Sequence, residues 1–178
     1  MKNKDRILTI AIIVGLLVAA GGRAISAQDK YTVKVPDGLA FSEFRGYESW
    51  QYVATSESDN RIKIIGGNPL MIAAYQAGFP ANGKPVPDGA VLTKIQWSKN
   101  SSPGFPVKAT AAGDLKEVEF MVKDSRRFAD SNGWGYALFN YDAASGKFTP
   151  LGTGAKCGAA CHNAVAKKDF VFTEYSRR

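Results

Sequence analysis

Histidine, cysteine and methionine are scarce in this sequence of 178 residues, which contains one, two and three of them. No run of lysine and arginine residues is interleaved with aromatic residues, although the formal net charge is +7. Nucleic-acid binding is therefore not supported, and the basic charge is interpreted as a contribution to solubility. The sequence also has no internal repeat and no low-complexity segment, which favours one ordinary domain.

The N-terminus has the layout of a secretory signal peptide. Basic residues in "MKNKDR" precede an apolar stretch over residues 7–20, and small residues follow up to Ala27. The apolar stretch is shorter than the roughly 20 residues of a membrane-spanning helix, so we expect cleavage after Ala27 rather than a retained anchor. No cysteine lies near this position, which excludes a lipoprotein anchor. Residues 1–27 are predicted to be a signal peptide and residues 28–178 a single periplasmic domain.

Alternating apolar and polar residues dominate the mature chain. This pattern favours an antiparallel sheet over repeated β-α-β units, and we expect an α+β fold with a curved antiparallel sheet covered by a few short helices. On residues 90–98, one predicted face carries Val91, Thr93, Ile95 and Trp97 and the other carries Leu92, Lys94, Gln96 and Ser98. Strands are predicted over 61–65, 90–98, 115–123, 133–141 and 169–175, with a turn feeding a strand over 47–56.

The clearest predicted helix follows Gly66 and Gly67. Asn68 suits the N-cap, Pro69 the first helical position and Gly78 the position after the C-cap. Its packing face is predicted to contain Leu70, Ala73, Ala74 and Ala77. A second short helix is predicted over residues 124–130 and a turn over 142–148. Residues 28–45 carry few signals and are expected to wrap the surface.

Both cysteines and the sole histidine lie within six consecutive positions, Cys157 to His162. A c-type haem needs two thiols on one short loop, which form thioethers, and a histidine directly after the second thiol as the iron ligand. Three residues separate the cysteines here, which gives C-x₃-C-H instead of the usual C-x-x-C-H. The spacers Gly158, Ala159 and Ala160 are small, so an extra residue can be accommodated. The segment is predicted to attach one haem c near the C-terminus.

Two other interpretations of this segment were considered besides coincidence. Cys157 and Cys161 can form a disulfide, because an exported protein meets an oxidising compartment. The two thiols and His162 can instead bind a metal ion, but they are one ligand short of a closed zinc site. The position of the only histidine directly after the second cysteine favours haem.

The lack of a second histidine excludes a bis-histidine haem within one chain. Apart from the initiator, the methionines are Met71 and Met121, and each is more typical of core packing than of iron ligation. The sequence therefore predicts a haem iron with one open coordination position, which favours binding and activation of small molecules over electron transfer.

Several ordered segments resemble the cytochrome P460 family and the related cytochromes c′-beta. They are "YESWQYVATS", "PDGAVLTKIQW", "MVKDSRRFAD", "GWGYALFNY" and "CGAACHNAVAKKDFVFTEY". The resemblance covers roughly residues 47–175. It implies an α+β fold with a large antiparallel sheet, one haem c per chain and a homodimer. In cytochromes P460 a lysine is also bonded to the haem ring, and the matching residue here is Lys94, which follows Asp88 by six positions.

The resemblance also suggests further residues near the haem. Phe120, Trp134, Tyr136 and Phe139 are candidates for the haem cage or for ordinary core. Arg61 is interpreted as a surface arginine, although a family arginine near the distal pocket lies close to it in the alignment. Glu117 and Glu119 are both candidates for a distal proton acceptor, and the sequence does not choose between them.

Three functions are compatible with these features. The first is oxidation of hydroxylamine, or action on nitric oxide, in the manner of cytochromes P460, with another cytochrome c as redox partner. The second is binding of nitric oxide or carbon monoxide without turnover, as in the cytochromes c′-beta. The third is simple electron transfer with Met71 or Met121 as the sixth ligand.

Overall fold

The structure is a computed structural model, and it describes residues 28–36, 38–102, 104, 106–152 and 155–176. The predicted signal peptide over residues 1–27 lies outside the described residues. Within the described part of the chain, no helix has the length and apolar character that crossing a membrane requires.

Six strands form one curved, unclosed antiparallel sheet, and each strand pairs with the next strand along the chain. This arrangement confirms the predicted α+β fold. The strands are β1 (Gln51–Ser58), β2 (Arg61–Gly67), β3 (Val91–Ser101), β4 (Thr110–Lys123), β5 (Trp134–Asp142) and β6 (Lys147–Leu151). The α-helices among the described residues are α1 (Pro69–Gln76) and α2 (Ala159–His162). Short 3₁₀ helices occupy Lys30–Thr32, Phe41–Phe44, Tyr47–Ser49, Ala129–Ser131 and Asn163–Lys168.

The strand register separates the side chains of β3 and β4 into two faces. Val91 lies opposite Val122 and Ile95 opposite Val118 on the first face, whereas Lys94 lies opposite Glu119 on the second face. Because side chains alternate along a strand, the face assignment predicted for β3 follows directly from the sequence and agrees with this register.

The first face is closed by the N-terminal segment. Phe41 and Phe44 are fully buried, and the ring centroid of Phe44 lies 3.9 Å from that of Phe120 in a stacked arrangement. These two phenylalanines are three residues apart in a 3₁₀ helix, which has three residues per turn, so both rings point to the sheet. The expectation that residues 28–45 wrap the surface is therefore wrong, because Phe41 and Phe44 of this segment belong to the hydrophobic core on the first face.

Helix α1 packs on the second face. The Asn68 side chain accepts a hydrogen bond from the backbone N–H of Met71 at 3.0 Å, and Gly78 has a φ of 96°, which confirms the predicted helix boundaries. The predicted packing face is wrong, because Leu70 is 47% exposed. The helix instead buries its largest side chains against the sheet, namely Met71, Ile72 and Tyr75.

Three other predicted elements differ from the structure. The predicted strand over 169–175 is absent, because Asp169 and Phe170 have φ of 45° and 63°, which an extended strand does not adopt, and residues 171–176 form no β-ladder. The predicted helix over 124–130 is a series of turns followed by a 3₁₀ helix. The turn predicted over 142–148 is confirmed but is shorter, at residues 143–146, because Asp142 ends β5 and Lys147 begins β6. The edge strand β6 tolerates Pro150 because one side of it is unpaired.

Candidate functional site

A cavity of about 390 Å³ lies on the second face of the sheet, between the central strands and the C-terminal segment. Its size is within the range of roughly 300–1,000 Å³ that is usual for ligand sites. The cavity brings together all four site residues that the sequence predicted, although Lys94 is far from the others along the chain. These residues are Lys94, Cys157, Cys161 and His162.

A helical turn presents the two cysteines to this cavity. The backbone N–H of Ala159 donates to the carbonyl of Lys156 at 3.0 Å, and that of His162 donates to Gly158 at 3.1 Å. Cys157 directly precedes Gly158, the N-cap residue of α2, whereas Cys161 lies in α2, and both residues line the cavity. The unusual three-residue spacer therefore still presents both thiols together.

Both thiols are free, and burial raises the pKa of the Cys157 thiol. Within the described ranges, no three histidine, cysteine, aspartate or glutamate side chains are grouped closely enough to hold one metal ion. Cys157, Cys161 and His162 all line the one cavity.

Gly158 lets this turn approach β5 closely. A Cβ atom at residue 158 would lie 2.4 Å from a ring carbon of Tyr136, which no ordinary contact permits. The Tyr136 ring lies in turn 4.8 Å from the His162 ring, centroid to centroid. The first spacer residue, Gly158, therefore has no room for a side chain, because the Tyr136 ring of β5 occupies that space. The sequence signalled only that the spacer residues are small.

One nitrogen of His162 is already engaged. Nδ1 lies 2.6 Å from the carbonyl oxygen of Phe170, so Nδ1–H donates this hydrogen bond and the lone pair of Nε2 is left for a ligand. Burial has the largest effect on the pKa of His162 and lowers it, the hydrogen bond with the Phe170 carbonyl opposes this, and the nearby charge of Lys94 lowers the pKa by a smaller amount. The imidazole is therefore neutral near pH 7, as metal ligation requires.

A charged pair lies on the same face. The Nζ of Lys94 lies 2.7 Å from a carboxylate oxygen of Glu119, its cross-strand neighbour. Gln96 Nε2 donates to the other oxygen of Glu119 and also, at 3.3 Å, to Glu117. Glu119 lines the cavity and Glu117 does not. The structure thus separates two glutamates that the sequence left equivalent.

The remaining predicted neighbours divide between the site and the core. Tyr136 lines the cavity on the second face. Phe120 is also a lining residue, although its ring stacks on that of Phe44 on the first face. Met121 also lines the cavity. Four other residues that the sequence analysis considered do not line the cavity, namely Arg61, Met71, Trp134 and Phe139.

Sequence reasoning missed the C-terminal segment that completes the site. Val171, Phe172 and Thr173 line the cavity, and the Phe172 ring lies 5.0 Å from that of His162. The Phe170 carbonyl was missed as well, because the alternation over 169–175 indicated a strand. A side-chain pattern carries no information on where a backbone carbonyl points.

The residues of the cavity fit a covalently attached haem. Two free thiols, a free imidazole nitrogen and apolar walls from Ile65, Leu92 and Val171 face one space. The Tyr136 hydroxyl is buried and has no hydrogen-bond partner among the described residues, and burial raises its pKa, so it stays a neutral donor. A buried donor without a partner is costly, which is consistent with a polar group of a ligand nearby.

Comparison with known proteins places the chain in a family of haem c cytochromes. No curated protein matches the sequence. The family described as Cytochrome P460 matches residues 44–173, which is well over half of the chain and covers the sheet, Lys94 and the cysteine–histidine segment. The chain therefore belongs to the cytochrome P460 family.

Proposed function

We propose that this protein is a periplasmic cytochrome with one haem c that oxidises hydroxylamine. The observation that carries the proposal is the pairing of Lys94 with Glu119 in the cavity that also holds Cys157, Cys161 and His162. Haem, when bound, supplies an iron that exchanges electrons and has an open coordination position. Removal of residues 1–27 on export, a homodimer and a cytochrome c as redox partner belong to the same proposal.

Each residue of the site has a separate task in this proposal. Cys157 and Cys161 form the thioethers, and His162 binds the iron through Nε2. Oxidation of hydroxylamine releases protons, and a carboxylate oxygen of Glu119 accepts one of them. Lys94, whose Nζ lies 2.7 Å from a carboxylate oxygen of Glu119, holds that carboxylate in position. The apolar walls limit the access of water.

A second candidate function is binding of nitric oxide or carbon monoxide without turnover. The observation that favours it is the apolar part of the cavity wall, formed by Ile65, Leu92 and Val171, which suits a small uncharged gas molecule. A protein of this kind retains the thioethers and the His162 ligand but has no lysine bond. Electron transfer with Met121 as sixth ligand is the third outcome of the experiment below.

The experiment uses the full chain expressed in a host that matures c-type cytochromes. Intact mass, N-terminal sequence and optical spectrum are measured first, then turnover of hydroxylamine with an artificial electron acceptor. We expect a mature chain that begins at Gln28, the mass of one haem and measurable turnover. Loss of two further hydrogens with a red-shifted ferrous Soret band indicates the bond to Lys94. Haem without turnover favours the gas binder, and a strong-field six-coordinate spectrum favours the electron carrier.

Matched variants assign the roles. Glu119→Gln is expected to lower turnover by roughly 10²–10⁴-fold, the usual contribution of general acid–base catalysis. Glu117→Gln is the control, because Glu117 contacts the same Gln96 and lies outside the cavity lining. Lys94→Ala removes the red-shifted band, whereas Lys99→Ala, which breaks a β3 ion pair with Glu57, leaves it in place. Equal losses in both glutamate variants refute the assigned role of Glu119.

A further inference from the structure

The carbonyl that orients His162 belongs to an unusual stretch of backbone. Asp169 and Phe170 are consecutive residues with φ of 45° and 63°, and neither is glycine. A positive φ is strained for residues other than glycine and persists only where the surroundings impose it. In this conformation the Phe170 carbonyl reaches Nδ1 of His162 at 2.6 Å. The residue that accepts the hydrogen bond from His162 is thus part of the strained turn.

Three donors from different parts of the chain hold the carboxylate of Asp169. Lys123 Nζ, at the end of β4, lies 2.9 Å from Oδ1, and Trp134 Nε1, at the start of β5, donates to the same oxygen at 3.3 Å. The backbone N–H of Val86 donates to Oδ2 at 2.8 Å. Val86 lies between two prolines, which restrict the backbone that carries this donor.

The Lys123–Asp169 pair is nearly buried, with side-chain exposures of 9% and 15%. Lys123 Nζ also donates to the carbonyl of Asn132 at 3.3 Å and lies 4.9 Å from the centre of the Trp134 ring. A buried ion pair usually gains little net stability, because both charges lose their hydration. Its specific consequence here is geometric, since it fixes the position of residue 169 relative to β4 and β5.

We propose that Asp169 is a positioning residue for the haem ligand His162. Its three donors hold residues 169 and 170 in the left-handed conformation, and that conformation aims the Phe170 carbonyl at Nδ1–H. The hydrogen bond makes the imidazole a stronger electron donor and fixes the ring orientation. The inference rests on the proposed haem site, because it requires His162 to bind iron.

The test replaces Asp169 in the haem-containing protein and measures the reduction potential and the Fe–His stretching frequency of the ferrous form. Asp169→Ala is expected to raise the potential and lower the frequency, because a weaker donor stabilises the oxidised iron less. Asp169→Asn is expected to shift both in the same direction by less, since asparagine tolerates positive φ and its amide oxygen still accepts a hydrogen bond.

Glu43→Gln is the control, because it removes the Arg127–Glu43 ion pair, which involves no cavity-lining residue. It is expected to leave the potential and the frequency unchanged. If Asp169→Ala does not mature, Asp169→Asn carries the test alone. Unshifted readouts in a matured, folded Asp169 variant overturn this inference and leave the haem function standing. A parent protein without haem overturns both.

Discussion

The two faces of the sheet belong to the same strands and have opposite characters. The first face is closed by aromatic packing, in which the ring centroid of Phe41 lies 4.7 Å from that of Phe139 and the Phe44 ring stacks on the Phe120 ring. The second face carries a lysine–glutamate pair and a cavity. Because neighbouring residues of one strand serve different faces, the sheet combines a rigid support with a chemical site. The support and the site should therefore respond to different substitutions.

The largest expected loss of stability follows from a substitution on the first face. Phe44→Ala removes a ring that is 1% exposed, and it should lower the free energy of unfolding by about 3–5 kcal/mol. Leu70→Ala, at a residue 47% exposed, should change it by about 0.5 kcal/mol or less. Chemical denaturation measures both. The haem spectrum of the folded Phe44→Ala protein should match that of the parent, and a changed spectrum would show that the faces are coupled.

A smaller loss of stability is expected at Gly158, where the turn that carries the two cysteines contacts β5. Gly158→Ala forces a methyl group against the Tyr136 ring and should destabilise the protein by about 1–3 kcal/mol. It should also displace Cys157 and reduce covalent haem incorporation, measured by intact mass. Ala160→Ser tests the same spacer at an exposed residue and should incorporate haem normally. Normal incorporation in Gly158→Ala would contradict the close contact.

The smallest effect concerns a peripheral ion pair of the N-terminal segment. Burial alone would raise the pKa of Glu43, but hydrogen bonds from Arg127 and from the Ala40 N–H outweigh it and lower the pKa below its usual 4.5. A lowered pKa in the folded state contributes stability above the unfolded pKa and loses it as the pH falls through the folded value. The stability advantage of the parent over Glu43→Gln should therefore shrink below pH 4.5, measured by urea denaturation, while the haem spectra coincide. An advantage independent of pH would contradict this.

Helix caps and side-chain alternation predicted the features that depend on residues close together along the chain. The caps at Asn68 and Gly78 fixed α1, and alternation fixed the two faces of β3. The same kind of signal failed for residues 169–175, because alternation describes an extended chain and not whether it pairs with a sheet. It also failed for the packing face of α1, since the choice between Leu70 and Met71 depends on which side of the helix meets the strands.

The sequence by itself predicted the attachment chemistry, because both cysteines and the only histidine lie within six consecutive positions, Cys157 to His162. It also determined that Lys94 and Val91 serve opposite faces, because side chains alternate with a period of two. Only the tertiary structure brought Lys94 and Glu119 to His162, selected Glu119 over Glu117 and aimed the Phe170 carbonyl at Nδ1. These features depend on strand register and on a turn imposed by distant donors, which no local pattern encodes.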